Sequence, residues 1–502
     1  MDTPAITLTD LPVELITIVL EYSEEDDVVS LAAVCRVLNA IAGSHFLKSV
    51  HFRHDSKGLF LGSSAIPFRA SRGLCTVLDC LSNVSYLMYD LTDDYVDDMY
   101  KGLSVLKNVP ASRFFHLSYF TPLPPPHTLV GSTDLPFPLR LLPSPSSATA
   151  VLLALFAELV VKSTRSLHID ADLEVDDTLM PISLPPLTSL EDVHITAPFL
   201  HTRPFRTWIT SSLNASRILR LYIGSVPTIS PFLSQLSLPS LQRFTFTDRG
   251  EVSAIDFASV RSFLLRHPSI RDLNLTFSIH DNSGDAGSLP LPNLKKLFVH
   301  PSLLPHFLSL PGPSPAATSS SLLFPNLQSI HFEVGLFEHL TTPYTYSVWE
   351  TVLRRVSAQG NVTELELPFE DFLNFKHPIY DPFSSPSQIL ELPSIQLVTF
   401  LFSHHVTPDE LQELFFPWFN HTFPNARRLA IHQIQWAQQE ESSFAGAIKE
   451  KCPQVETLEL SYTKKLVEEW LAQDSEGFGL AAHRSEGKFP ILALYHARFI
   501  TN

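Results

Sequence analysis

Histidine, cysteine and closely spaced carboxylates are the side chains here whose types and spacing invite chemistry. The chain holds 21 histidines, and five of them (His51, His116, His168, His194, His331) fall at one place in a recurring phrase described below. Imidazoles bind metals and move protons, and on neighbouring parallel strands about 4.8 Å apart His168 and His194 would lie close together. A half-solvated strand face that tolerates histidine explains the same pattern without chemistry. Cys75 and Cys80 form a C-x4-C pair, but a structural zinc site needs more ligands and no second cysteine pair follows. Asp170, Asp172 and Glu174 alternate like the start of a calcium loop, yet Val175 stands where that loop needs glycine and no glutamate closes it. A solvated acidic turn is expected there, as for Asp90–Asp98. GxGxxG, Walker A, HExxH and GxSxG are all absent. The expectation is a non-enzyme with no cofactor and no metal.

Composition narrows the remaining classes. Of 502 residues, 44% are hydrophobic and 17% charged, which suits a core-forming chain rather than a disordered one. Asp and Glu outnumber Lys and Arg by 52 to 35, a net charge of −17. That balance argues against nucleic acid and anionic membranes as partners. The longest apolar run, Val151 to Val161, is about half a membrane span. No charged start followed by an apolar stretch marks a signal peptide. Four cysteines are too few for a disulfide framework, so a reducing compartment, cytoplasmic and/or nuclear, is expected.

The elements that would position the histidines come from an internal repeat. An apolar anchor is followed by apolar residues three and five places on. Clear copies are Leu241/Phe244/Phe246, Ile270/Leu273/Leu275, Leu294/Leu297/Val299, Leu327/Ile330/Phe332, Val362/Leu365/Leu367 and Val455/Leu458/Leu460. Weaker copies start at Val84, Ser112, Thr164, Leu190, Ile218, Ile395 and Ala426, and a degraded one lies at Ile491/Leu494. From Thr164 to Val455 the anchors step by 23 to 35 residues. The +3/+5 pair is the period of two of a strand with one buried face. Proline stands two residues before eight anchors, at 110, 239, 268, 292, 325, 393, 424 and 453, a position suited to strand entry. Helical spacing fills the gaps at Phe257–Arg266, Tyr346–Ala358, Pro408–Phe419, Phe444–Lys451 and Lys465–Ala472. The reading is an α/β solenoid of leucine-rich-repeat type with a parallel sheet. It is irregular, because the Asn or Cys that such repeats place after the strand is missing.

Three loops interrupt the array: the proline-rich 121–148, Pro311–Ser321 and Asp281–Ser288. Pro122-x-x-Pro125 has the spacing of a polyproline ligand, but a solvated loop between repeats is the preferred reading. On the outward strand face the residues two and four places after each anchor are the candidates for substrate contact: Arg220, Tyr222, Arg243, Asp272, Lys296, Phe298, Glu364 and Arg428.

Residues 10–47 follow another pattern. Asp10 is a candidate N-cap, Leu11, Leu15, Ile18, Val19 and Tyr22 make one helical stripe, and Ile16 and Leu20 a second. Acidic Ser23–Asp27 should end this helix, with a second over Val28–Cys35 and a third from Arg36 to about Ala42. Forty residues cannot hide that much apolar surface, so either a partner helix covers it or the helices cap the first repeat.

Leu11-Pro12-x-Glu14-Leu15, then Ile18 to Leu20, Leu31, Val34-Cys35-Arg36 and a closing Phe46-Leu47 resemble an F-box. Lys48 stands where F-boxes often carry tryptophan. An F-box ahead of irregular leucine-rich repeats is similar to F-box proteins numerous in fungi. The resemblance implies a fold of a short three-helix F-box (8–47), first irregular repeats (48–120), a proline-rich loop (121–148) and a solenoid (149–502). It implies a non-catalytic substrate-recognition subunit of a Skp–cullin–F-box ubiquitin ligase. A Skp-family adaptor would contact Leu11, Pro12, Leu15, Ile18, Val19, Leu31, Val34, Cys35 and Arg36, and through it a cullin scaffold would be reached. The alternative is a leucine-rich-repeat scaffold outside any ligase, its N-terminal helices a cap. Leu47/Val50/Phe52 also fits the strand phrase, so the first strand is expected directly after the F-box.

Overall fold

The computed structural model describes residues 8–53, 56–62, 65–119, 145–176, 183–224, 229–247, 257–277, 289–308, 324–332, 346–368, 390–401, 408–432, 436, 438–460 and 463–466. The chain divides into two compact units, 1–380 and 381–502.

In the first unit, three helices, α1 (Val13–Glu21), α2 (Glu25–Ala32) and α3 (Arg36–Ser49), precede eleven strands. These are β1 (Gly58–Gly62), β2 (Tyr86–Asp90), β3 (Phe114–Tyr119), β4 (Ser166–Ala171), β5 (Asp192–Ile195), β6 (Arg220–Gly224), β7 (Arg243–Thr247), β8 (Asp272–Thr276), β9 (Lys296–Val299), β10 (Ser329–Phe332) and β11 (Glu364–Pro368). Each pairs in parallel with the next in chain order. Helices α4 (Ser71–Thr76), α5 (Tyr95–Asn108), α6 (Pro145–Lys162), α7 (Arg203–Ala215), α8 (Ile229–Gln235), α9 (Phe257–Arg266), α10 (Leu304–Phe307) and α11 (Tyr346–Ser357) lie in the connections. The second unit carries parallel β12 (Leu397–Leu401), β13 (Arg428–His432) and β14 (Thr457–Leu460), closed by antiparallel β15 (Thr463–Leu466). Helices α12 (Pro408–Thr422) and α13 (Gln438–Lys451) connect its parallel strands. The architecture is α/β and solenoid-like.

Every phrase from Val84 to Val455 ends in one of these strands, and its +3 and +5 side chains are buried. Burying such side chains contributes roughly 1.5–3 kcal/mol each. The register follows from one carbonyl per repeat. Gln242 C=O accepts the N–H of Arg271 at 2.7 Å and of Asp272 at 3.1 Å, and Lys295 C=O accepts those of Gln328 and Ser329 at 2.9 and 3.1 Å. The carbonyls of Lys57, Ser85, Arg113, Arg165, Glu191, Leu219, Arg271, Gln328, Gln396 and Arg427 do the same.

Proline acts one step earlier than strand entry. In seven of the eight cases the anchor N–H donates to the residue before the proline at 3.0–3.3 Å, as from Leu241 to Leu238 and from Ile270 to His267. Proline therefore sits second in a β-turn, where its fixed φ fits, and the strand begins four residues later. The residue after it does the work that the missing Asn or Cys would have done. Asn293 donates to Pro268 C=O at 3.0 Å, Asn326 to Pro292 at 2.8 Å and Asn425 to Pro393 at 2.9 Å. Ser269 reaches Pro239 C=O at 3.1 Å, and Asn361 reaches Phe324 and Pro325 at 2.8 and 3.1 Å. In these five repeats the turn is thus tied to the turn before it.

Several expectations change. Leu47/Val50/Phe52 is no strand: Leu47 lies inside α3, which continues to Ser49, and His51 follows with φ 57°. The first strand is β1, whose anchor position holds polar Ser56 and so escapes a search for apolar triplets. Asp10 closes a short 3-10 turn, and the residue capping α1 is Pro12. The first helix ends at Glu21, ahead of the acidic stretch as expected, but α2 starts at Glu25 rather than Val28, because the carboxylates of Glu25, Asp26 and Asp27 favour a helix N-terminus. Asp98 is buried on α5, accepting the Thr92 N–H at 2.8 Å and hydroxyl at 2.7 Å, and burial pushes its pKa up. Asp170 is buried on β4 and accepts the Thr196 hydroxyl. Neither belongs to a solvated turn. Lys465 and Leu466 lie in β15 rather than a helix, while 467–472 and the phrase at Ile491 lie outside the described residues. So do the loops Pro311–Ser321 and Asp281–Ser288 and nearly all of 121–148.

Two outcomes test this account. Asn361→Asp sets an acceptor against two carbonyls and is expected to cost roughly 2 kcal/mol, against about 1 kcal/mol for Asn361→Ala, read as a larger drop in Tm for the aspartate. The second concerns His201, whose two ring nitrogens are enclosed without a hydrogen-bond partner and whose ring stands edge-on to Phe232 at 4.8 Å. Burial, helped by Arg206, pulls its pKa down to about 4. The unfolded chain takes up this proton near pH 6.5 and the folded one only near 4. Stability from this group is therefore full above about pH 6.5 and falls by up to about 3 kcal/mol as pH drops towards 4. His201→Phe should flatten that part of a Tm–pH profile.

Candidate interaction surfaces

The first surface lies on the N-terminal helices. On α1 the apolar residues divide into two stripes at i, i+3, i+4 spacing. Ile16 and Leu20 turn inward, joined by Val28, Val29, Leu38, Ala42, Phe46 and Leu47 in the packing of α1 and α2 on α3. The other stripe faces solvent: Leu15 is 48% exposed, Ile18 50%, Val19 52% and Tyr22 87%. The α2–α3 junction adds Val34 at 68%, with Val37 also exposed. Leaving side chains half exposed forgoes about 1 kcal/mol each of transfer free energy. Of the nine sequence candidates, Pro12, Leu15, Ile18, Val19, Val34, Cys35 and Arg36 are exposed, and Leu11 and Leu31 half-buried. Val13, Tyr22 and Val37 belong to the same exposed set and were missed. Val13 is the variable position of Leu11-Pro12-x-Glu14-Leu15, Val37 follows Val34-Cys35-Arg36, and Tyr22 continues the outer stripe without belonging to the motif.

The opposite side of these helices is built into the repeat array. Asn39 of α3 is buried and donates to Ala32 C=O at 2.8 Å and Thr76 C=O at 3.0 Å, while its amide oxygen accepts the Leu78 N–H at 2.9 Å. A side chain on Gly73 would collide with the Phe46 ring, so α4 approaches α3 as closely as glycine permits. The helices are both a cap and a bearer of uncovered apolar surface.

The second surface is the outward face of β3–β11. Register places His116, His168, His194, Tyr222, Thr245, Asn274, Phe298, His331 and Glu366 in one row across nine strands. Tyr222 stacks on His194 at 3.8 Å and Phe298 on His331 at 4.0 Å. His168 and His194 have ring centroids 5.4 Å apart, as the strand spacing requires. His116, however, is buried on this face rather than solvated. The row is held by stacking and polar contacts, with His331 Nδ1 3.1 Å from a Glu366 oxygen and the Tyr222 hydroxyl 2.7 Å from that of Thr247.

The parallel row beside it reads Ser166, Asp192, Arg220, Arg243, Asp272, Lys296, Ser329, Glu364. Arg220 meets Asp192 at 2.9 Å and Arg243 meets Asp272 at 2.7 Å, each arginine side chain half exposed. Thus Arg220, Tyr222, Arg243, Lys296, Phe298 and Glu364 share one face, whereas Arg428 begins β13 of the second unit.

No group of three or more His, Cys, Asp or Glu side chains among the described residues is placed to hold a metal ion. The two cysteines of the C-x4-C pair sit in different settings: Cys75 lines a cavity of about 430 Å³ between α4 and α5. Cys80 is buried, with its thiol donating to Leu74 C=O at 2.7 Å. Burial pushes the Cys80 thiol up to about 12, so the thiolate that binds metal or attacks carbon is disfavoured. The apolar run 151–161 lies within α6, and no helix among the described residues is long and apolar enough to cross a membrane. No protein-family model matches the chain, and no curated protein matches it.

The two stripes of α1 should answer differently to substitution. Leu15→Asp and Ile18→Asp are expected to leave the far-ultraviolet circular dichroism unchanged and stability within about 0.5 kcal/mol, as exposed positions do. Leu20→Ala should cost roughly 2–5 kcal/mol in thermal or denaturant unfolding.

Proposed function

We propose that this protein is a non-catalytic substrate receptor of a Skp–cullin–F-box ubiquitin ligase. In this reading α1–α3 form the F-box, the outer stripe of α1 and the α2–α3 junction dock a Skp-family adaptor, and a leucine-rich-repeat-like array holds a protein substrate. The observation that carries the reading is the division of α1. A nine-residue helix that keeps Ile16 and Leu20 for its own packing still presents Leu15, Ile18, Val19 and Tyr22 to solvent. The LPxEL…VCR residues coincide with that uncovered side. Such a receptor makes and breaks no bonds. It raises the effective concentration of a bound substrate near a ubiquitin-charged enzyme. A sheet whose successive turns are tied by hydrogen bonds suits that task, because a loose tether dilutes the gain.

A second reading has its own support. The buried Asn39 bridge and the Phe46–Gly73 contact are what a structural cap would use, so a repeat scaffold outside any ligase accounts for the inner side of the helices. It leaves the outer stripe unexplained.

Co-expression of the tagged full chain with a Skp-family adaptor separates the two. Co-purification is expected with the unaltered chain and a loss of at least about tenfold for Leu15→Asp/Ile18→Asp, each apolar anchor removed being worth on the order of 1 kcal/mol or more. Absence of adaptor from the purified unaltered chain would reject the receptor reading in favour of the scaffold, and adaptor retention by the folded double variant would reject the outer stripe of α1 as its docking site.

A further inference from the structure

We propose that the edge of the sheet at which β6–β9 begin binds an acidic peptide segment lying across the strands, its carboxylates set against Arg220, Arg243, Arg271, Lys295 and Lys296. The inference rests on the receptor reading only in calling that segment part of the substrate. The chain is strongly anionic, yet on these four consecutive strands the first strand residue and the one before it supply five cations and one carboxylate, Asp272. All five cations are exposed. The backbone sets them in two adjacent registers: Arg220, Arg243 and Lys296 begin their strands in one ladder row, and Arg271 and Lys295 stand one residue earlier, the Arg271 C=O accepting the N–H of both Lys295 and Lys296. Arg220 and Arg243 are each engaged on their outer flank by Asp192 and Asp272. Arg271, Lys295 and Lys296 have no anionic partner among the described residues.

Geometry sets the size of the ligand. Three inter-strand steps of about 4.8 Å give a strip of about 14 Å, which an extended chain crosses in about four or five residues. The neighbouring row over the same strands, Tyr222, Thr245, Asn274 and Phe298, is uncharged, and stacking fixes an aromatic ring at each end. A short carboxylate-bearing peptide fits this combination better than a nucleic acid. A continuous phosphate backbone would run past the cations into Asp192, Glu191 and the acidic remainder of the chain, whereas a few carboxylates stay within about one Debye length of their partners.

The test uses the full-length protein and fluorescent peptides of about five glutamates, with a glutamine peptide of equal length and single-stranded DNA as comparisons, read by anisotropy at physiological salt. The glutamate peptide should bind at least about tenfold more tightly than the glutamine one. Arg271→Glu/Lys295→Glu/Lys296→Glu should abolish that preference, and the three glutamine substitutions should reduce it part-way. Equal binding of both peptides, an unchanged preference in the glutamate triple variant, or tighter binding of DNA than of peptide would overturn the proposal. So would concentration-dependent self-association lost in the triple variant, which would make a second copy the occupant. Adaptor co-purification is measured on the same two proteins. A chain that keeps the peptide preference but never retains adaptor loses the receptor reading alone, and one that retains adaptor without the preference loses this inference alone.

Discussion

The parallel ladder stands on one recurrent bond pattern: a backbone carbonyl just before each strand accepts two consecutive N–H groups from the next repeat. Because side chains alternate along a strand, that shared acceptor decides which face each residue joins. Slipping one repeat by a single residue would carry its +3 and +5 residues, Phe244 and Phe246 for example, out to water. It would also bring Arg243 and Thr245 into the core. The β-turn with proline at its second position, and the Asn or Ser that follows, hold this acceptor in place from one repeat to the next. The rows of His194 and Tyr222, or Arg220 and Arg243, are consequences of the same register, and any binding by this face depends on it.

The N-terminal helices solve a different problem. A parallel array begins with a layer that has no preceding repeat to cover it, and Phe46 and Asn39 contribute to that cover. Had capping been the whole task, the outer side of α1 would be expected to be polar, as terminal layers of repeat arrays are. Leu15, Ile18, Val19 and Tyr22 occupy it instead. Capping and docking are therefore not rival roles for these helices, since they use opposite sides. The receptor proposal draws its weight from the side that capping leaves over.

Much of this was legible in the amino-acid order, for identifiable reasons. The +3/+5 pairs were readable because burial of one strand face leaves a period of two, and the outward row followed from the same alternation. The first strand was not readable, since Ser56 stands where other repeats put an apolar anchor. Leu47/Val50/Phe52 misled because its first step of three is also a helical spacing: Leu47 and Val50 close the last turn of α3, and Phe52 lies beyond it. Asp98 and Asp170 looked like solvated acids because sequence alone does not show the Thr92 and Thr196 hydroxyls that receive them. The proline signal was legible but its cause was not. The Asn or Ser after it, visible as Pro-Asn-Leu at 292–294 and 325–327, was the sign that the inter-repeat bond had moved from the end of the strand to the turn before it.

The order of charges along the strand-entry row bears on what the face can recognise. Across β5 to β9 the signs run Asp192, Arg220, Arg243, Asp272, Lys296. Two arginines on adjacent strands repel by about 1 kcal/mol if their charges lie about 5 Å apart in water. Each is drawn outward by its own aspartate, which offsets that cost without consuming the guanidinium, since Arg243 meets Asp272 through Nε. The inner pair is thus held in place before anything binds, so little side-chain entropy remains to be lost on contact. Among the described residues Arg271, Lys295 and Lys296 are not matched in this way, and they carry the net positive charge of the edge. Pre-organised arginines in the centre and unmatched cations at one end favour a ligand whose negative charge is itself uneven along its length. Selectivity would then come from the pattern of charge more than from its total.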